Sequence, residues 1–296
     1  MALSAPLLGR KRVIKVKVET TKGTKVGGDQ AIRVFDLDIK ATAPFEQRSG
    51  TGLYLGNNST GILGARSGTC SFSMELQTTG SQGMEAGLAI LLQGCGLKQT
   101  SQVYQVHSSH ANQSCISIDA YEDGVKESLA GSRVMCNFEF SGVWQAVVDA
   151  ALPAYAPATR APLRLQGGTW TLGGESIKIG KYSLDMGNVV VPRLDVDSAG
   201  GIIYSMITDF DPTLSIDPEA DLVAGYDFNG LWLAGTEAAA SAKVSDGTDS
   251  VTFYTPKVQV KELAGGDREG ILTYDYNGQC NHNSGDDSVV ITAAAA

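Results

Sequence analysis

No run in this 296-residue chain approaches the roughly 20 apolar residues that a membrane-spanning helix needs. The apolar start, Met1 to Leu8, is too short for the core of a secretory signal, and its positive residues follow the apolar run instead of preceding it. Both absences lead to the expectation of a protein made and folded in a cytoplasm. Cysteine is sparse and unpatterned: Cys70, Cys95, Cys115, Cys136 and Cys280 are widely spaced, form no C-x-x-C pair and have no histidine nearby to complete a zinc site. They are expected to be reduced and mostly buried. The three histidines, His107, His110 and His282, lie in Ser/Asn-rich stretches without a Cys, Asp or Glu at metal spacing. There is no G-x-S-x-G serine for them to activate. Asp195-x-Asp197-x-x-Gly200 opens like a calcium loop, but Ala199 and Met206 stand at its fifth and twelfth positions, so an ordinary Asp/Gly turn is the simpler reading. Gly94-Cys95-Gly96-Leu97-Lys98 lacks phosphate-loop spacing and follows a helix, which a helix C-cap explains. No catalytic constellation, cofactor fingerprint or metal set remains, and the expectation is a protein that is not an enzyme.

What is present is glycine and alternation. The 35 Gly, 9 Pro, 43% hydrophobic and 19% charged residues describe a turn-rich chain that leans towards β structure. Charge is uneven: residues 1–152 hold 14 Lys/Arg against 13 Asp/Glu, and 153–296 hold 9 against 19, so the net −9 divides into +1 and −10. Arg10, Lys11, Arg12, Lys15, Lys17, Lys22 and Lys25 face only Glu19 in the first 25 residues, a basic arm that reads either as a charged strand edge or as a docking segment. Phe138, Phe140, Trp144, Tyr274 and Tyr276 alternate along strands with no basic residues between them, unlike a nucleic-acid stacking platform.

The chain also says nearly the same thing twice. Lys126–Arg133 leading into Asn137–Gly142 is echoed by Lys261–Arg268 leading into Thr273–Gly278, and Phe35–Ile39 by Tyr182–Met186. Each half opens with alternating strands: a long hairpin is expected over Val13–Val18 and Ile32–Ile39, and another over Leu163–Leu172 and Ser176–Met186 around Gly173-Gly174. A polar, Gly-rich loop without regular structure is expected from Ala43 to Gly68, with a shorter counterpart from Asn188 to Gly201 before a strand over Ile202–Ile207. The spacing of Met84, Leu88, Leu91 and Leu92 predicts a helix over 84–92, with a weaker one over 218–224. Closing strands are expected at 114–121, 133–144, 242–254 and 270–276, and the prolines of Leu152–Pro162 read as a linker.

Particular stretches resemble bacteriophage tail tube (major tail) proteins: "LLQGCG" ending the helix at Ala89–Gly96, the strand, "YEDG" turn and "SLAG" of Ile116–Gly131, "FEFSG" at Phe138–Gly142, and "DMGNVVVPR" with "DFDP" in Asp185–Pro212. Between Gly131 and Met135 the chain is shorter than that pattern. The resemblance implies a mainly β fold: two tandem tail-tube-type β-barrel or sandwich domains, each with one short helix, from an internal duplication, at 1–157 (with a long stacking loop at 43–68) and 158–296. It implies a structural virion protein that stacks as rings into the tail tube of a siphovirus, an acidic conduit for DNA ejection. It further implies trimeric, pseudo-hexameric rings (hexamers being the alternative) and assembly in the host cytoplasm. The partners implied are the tape measure protein and the tail terminator and distal tail proteins, with phage DNA passing the lumen unbound and no membrane or cofactor. Three chains at −9 each carry −27, which repels a phosphate backbone. Candidate subunit contacts are Arg10, Lys11, Arg12, Phe45, Leu53, Tyr54, Leu55, Ile62, Leu63 and Arg193. The other class considered is a carbohydrate-binding β-sandwich of a virion or secreted protein, for which Trp170 and Trp232 are the aromatic donors.

Overall fold

The computed structural model describes residues 12–52, 56, 58–106, 113–122, 135–145, 147–155, 160–165 and 168–296. Among these the fold is mainly β, with two short helices. The first element follows from alternation: Ile14 and Val16 are wholly buried while Lys15 and Lys17 point the other way, so Arg12–Val18 extends as β1. The chain returns through Gly23, at φ 77°, to a three-residue β2, Gln30–Ile32, which sets Ile14 opposite Ile32. There the long hairpin expected from the sequence stops. β3, Phe35–Thr42, leaves for another sheet. Asp36 takes φ 52° at this departure and a bulge follows, leaving Phe35, Leu37 and Ile39 half-buried and Asp36, Asp38 and Lys40 in solvent.

The stretch 43–68 is not without regular structure. β4, Phe45–Ser49, pairs antiparallel with β5, Asn58–Leu63, as a ribbon in which no residue is buried. A ribbon wet on both faces needs no apolar alternation, so a Gly-rich polar composition hides it. The chain re-enters as β6, Ser67–Glu75, where Thr42 of β3 meets Ser67. Helix α1, Ala86–Gly94, lies two residues beyond the expected span, because the Glu85 carboxylate caps it by accepting from the Leu88 N–H at 2.8 Å. Leu88, Leu91 and Leu92 are buried, and Gly96, at φ 86°, turns the chain away. β7, Leu97–Thr100, and β8, Val103–Val106, form a hairpin. β9, Ile116–Glu122, runs along the whole of β1, and β10, Met135–Val143, along the whole of β6, where the Phe72, Phe138 and Phe140 rings sit 5.7 to 6.1 Å apart.

The second half repeats this order. β11, Thr169–Leu172, turns through Gly173 and Gly174, at φ 61° and 92°, into β12, Glu175–Ser176. Mirror-image turn geometry of this kind is what glycine supplies. β13, Ile179–Asp185, is followed by β14, Asn188–Leu194, and β15, Ile202–Phe210, which pair only with each other, and then by β16, Thr213–Pro218, back beside β13. The first half of the expected short loop at 188–201 is thus strand, and 195–201 turn the chain into β15. Helix α2 is Phe228–Ala234, not 218–224: Pro218 ends β16, Asp227 caps the helix by accepting from the Gly230 N–H at 2.7 Å, and Gly235 closes it in the left-handed conformation. β17, Glu237–Ser245, and β18, Asp249–Arg268, form a hairpin across the turn 246–248, where one strand was expected over 242–254. β19, Ile271–Asn281, pairs with β18 and β16, and β20, Val290–Ala295, pairs with β18 on one side and β8 on the other. One ten-stranded sheet therefore carries strands from both ends of the chain.

A buried carboxylate ties the same parts together. Asp249 is 1% exposed, and its oxygens accept from the backbone N–H groups of Gly80 (2.8 Å) and Gln82 (3.1 Å), far away in sequence. Beside it Arg160, in the linker, pairs with Asp246. The Asp249 N–H first, then Arg160 and the Thr248 N–H, hold the Asp246 carboxyl down at about 2. A depressed carboxyl stabilises the fold fully above its ordinary pKa near 3.8 and loses that contribution as pH falls through about 2. Replacing Asp249 by Ala leaves two amide donors without their acceptor and should cost about 2 kcal/mol. In urea melts at pH 7, Asp249→Ala is expected to lower the midpoint markedly and Asp249→Asn, which keeps one acceptor oxygen, less.

Candidate functional site

The surfaces that stand out are the two ribbons. In β4–β5 Phe45 is paired with Leu63 and Glu46 with Ile62, which puts three large apolar side chains, 64%, 60% and 53% exposed, near the root of the ribbon. Gly61 carries the Phe45 ring against its backbone, where a Cβ would collide with it. The root is closed by the Gly64 N–H donating to Pro44 O at 2.8 Å. Apolar surface of this kind, standing in water on a two-stranded element, marks an interaction site.

Arg193 lies on the other ribbon. It is exposed on β14, opposite Tyr204 of β15, with its guanidinium 5.5 Å from the ring centroid and Nη1 donating to the Tyr204 hydroxyl at 3.0 Å. β14–β15 is not free along its length. Asn188 Nδ2 donates to the Cys95 carbonyl at the end of α1 (3.0 Å), and Ile207 lies against Gly96. Ile203 lies against Gly23 in the β1–β2 turn, and the Arg66 N–H donates to Gly200 O at 2.9 Å. This ribbon crosses the first half from the helix end to the start of β6, with Ile202 and Ile207 buried. Val189, Val190, Val191 and Leu194 are left 42% to 69% exposed on it.

The basic arm is partly neutralised within its own half. Arg12 is exposed at the start of β1 and Nη1 donates to Leu37 O at 2.8 Å. Lys17 pairs with Asp29 at 2.9 Å and Lys25 with Asp119 at 2.8 Å. Arg10, Lys11, Leu53, Tyr54 and Leu55 lie outside the described residues, as do His107 and His110. The structure thus gathers Phe45, Ile62 and Leu63 on one ribbon and sets Arg193 on the other. What sequence reasoning missed is the exposed last turn of α2, where Trp232 and Leu233 are 42% and 78% exposed. The signal for it was Asp227 eight residues before a helix-ending Gly235. Trp170, by contrast, stacks on Tyr182 at 4.7 Å and is half-buried.

The five cysteines are free thiols, Cys280 buried and the others half-buried. Burial pushes Cys70 up to about 11 and Cys95, Cys136 and Cys280 up to about 12, and also raises Cys115. A thiol with a raised pKa is a poor nucleophile at neutral pH. No protein-family model matches the chain, and no curated protein matches it. With Ellman's reagent at pH 7.5 the folded protein is expected to react at least tenfold more slowly than free cysteine, while all five thiols react in guanidinium. A thiol titrating quickly in the folded protein would show a site where burial does not govern.

Proposed function

We propose that this chain is a self-assembling structural protein of a bacteriophage tail, which stacks as rings into the tail tube. The observation that carries the reading is the repeated order of elements. Each half gives a hairpin, a strand pair from whose far end a ribbon projects, a helix, a further hairpin and closing strands, and one ribbon spans the other half while its counterpart meets no such surface among the described residues and carries exposed apolar residues. A duplicated unit with one satisfied and one unsatisfied copy of the same contact is built to go on binding copies of itself. On this reading the two halves are two tail-tube-type domains, three chains complete a pseudo-hexameric ring, and the −10 of the second half contributes to a lumen that repels DNA. The tape measure, tail terminator and distal tail proteins are the partners of such a tube. The sequence motifs that resemble tail tube proteins support the same conclusion, with the virion tail as its place.

Negative-stain microscopy of the concentrated purified protein tests it: rings or tubes are expected, and a strictly monomeric protein overturns it. Replacing residues 45–63 by a short Gly/Ser turn removes no buried side chain among the described residues and keeps the Thr42–Ser67 pairing. The melting temperature is expected to stay within a few degrees while rings and tubes disappear. A trimmed protein that still assembles shows that the ribbon is not the contact.

A further inference from the structure

The contact that β14–β15 makes within the chain describes a seat, and the corresponding positions of the second half are exposed except Pro212, with the Gly235 carbonyl accepting from Gln259 Nε2 at 3.1 Å and Asp211 paired with Lys261. Cys95 and Gly96, which follow α1, receive Asn188 and Ile207. Gly23, which turns the β1–β2 hairpin, receives Ile203, and Ala65 and Arg66, which precede β6, receive Gly200 and Gly201. In the second half Gly235 and Thr236 follow α2, Gly173 and Gly174 turn the β11–β12 hairpin, and Asp211 and Pro212 precede β16. Gly235, Thr236, Gly173, Gly174 and Asp211 are all exposed. Counted back from the two helix caps, Trp232 stands where Leu92 stands; Leu92 is 9% exposed and Trp232 42%, with Leu233 beside it at 78%.

We propose that the β4–β5 ribbon of a second copy of this chain occupies this seat. The inference rests on the self-assembly reading above and names its contact. Phe45 opens β4 as Asn188 opens β14, which brings its ring to the last turn of α2, against Trp232 and Leu233. Ile62 and Leu63, near the end of β5, follow onto Thr236 as Ile207 lies on Gly96. Apolar side chains exposed on both surfaces are thereby removed from water together, which is the arrangement of an interface centre. Charge favours the same pairing, because the ribbon belongs to the half of net +1 and the seat to the half of net −10. The contact is head-to-tail: each chain offers one ribbon and one seat, and the crossing within a chain and the crossing between chains alternate around the ring.

Two surface variants test this by complementation. Phe45→Asp spoils the ribbon and leaves the seat; Leu233→Asp spoils the seat and leaves the ribbon. Both positions are exposed, and circular dichroism checks that each variant folds. In sedimentation velocity each variant alone is expected to remain monomeric under conditions where the unaltered protein assembles. An equimolar mixture should give a species of twice the monomer mass that grows no further, since its one good ribbon and one good seat are used on each other. Tryptophan emission should shift to the blue on mixing, and the shift should vanish when the Phe45→Asp chain also carries Trp232→Phe. If the variants assemble like the unaltered protein, or the mixture stays monomeric while the unaltered protein assembles, this contact is wrong and the self-assembly reading survives. If the unaltered protein never assembles, both fall.

Discussion

A two-stranded ribbon cannot bury enough surface to hold itself in water, and this chain builds two of them. Each is lifted from the end of a strand pair, β3 with β6 and β13 with β16, so neither has a sheet neighbour to lean on. β14–β15 is supported by the first half at its root, its middle and its turn, and in return it fixes how the two halves lie. β4–β5 finds no such surface among the described residues of its own chain. The fold therefore ends with one surface demand outstanding, and the apolar side chains at that ribbon root are its measure.

The rest of the structure makes that demand useful by making the two halves rigid relative to each other. β20 completes the large sheet by pairing with β8, so the last strand of the chain is wedged between β18 and a hairpin from the first half. Asp249 adds a buried carboxylate on two backbone amides of the 79–83 turn, and Arg160 draws the linker onto Asp246. Backbone hydrogen bonds and a buried charged acceptor are specific in geometry in a way that apolar contact is not. A ribbon and a seat held at fixed angle on one body can close a ring of defined size; held flexibly, they would give branched or open chains.

Much of this was legible in the sequence, and the failures have physical causes. Strands with one buried face, such as β1 and β10, announced themselves by alternation, and α1 by its Leu88, Leu91 and Leu92 stripe, whereas β16 was not read as a strand. β4, β5 and β14 were read as loop because a strand exposed on both faces has no periodic signal, whereas β15, with Ile202 and Ile207 buried, was expected as a strand. The hairpin β1–β2 was drawn too long because nothing in Arg33 to Asp38 declares that Asp36 will adopt a positive φ and send β3 to another sheet. α2 was misplaced because the acidic, Pro-containing stretch before it looked like a helix start. The determining pair, the Asp227 cap and the Gly235 stop, lay further on. Of the candidate contacts, Phe45, Ile62 and Leu63 were chosen as apolar residues standing in a polar stretch, and the structure leaves all three exposed. Leu233 was missed, and Trp232, singled out only as an aromatic donor for carbohydrate, was not read as a subunit contact, because only the comparison with buried Leu92 makes their exposure informative in that way.

Charge adds a constraint that packing alone does not. An assembly that surrounds DNA without holding it needs negative surface inside, yet negative surfaces repel one another where subunits meet. Dividing the charge between the halves would resolve this, since the proposed head-to-tail contact sets a half of +1 against a half of −10 instead of like against like. The first half sets part of its basic character, Lys17 and Lys25, against its own Asp29 and Asp119. In the proposed assembly the apolar root of the ribbon would drive association, with charge choosing its direction. A contact of that kind weakens only modestly with salt, whereas one held by the basic arm alone would dissolve within a few tenths molar.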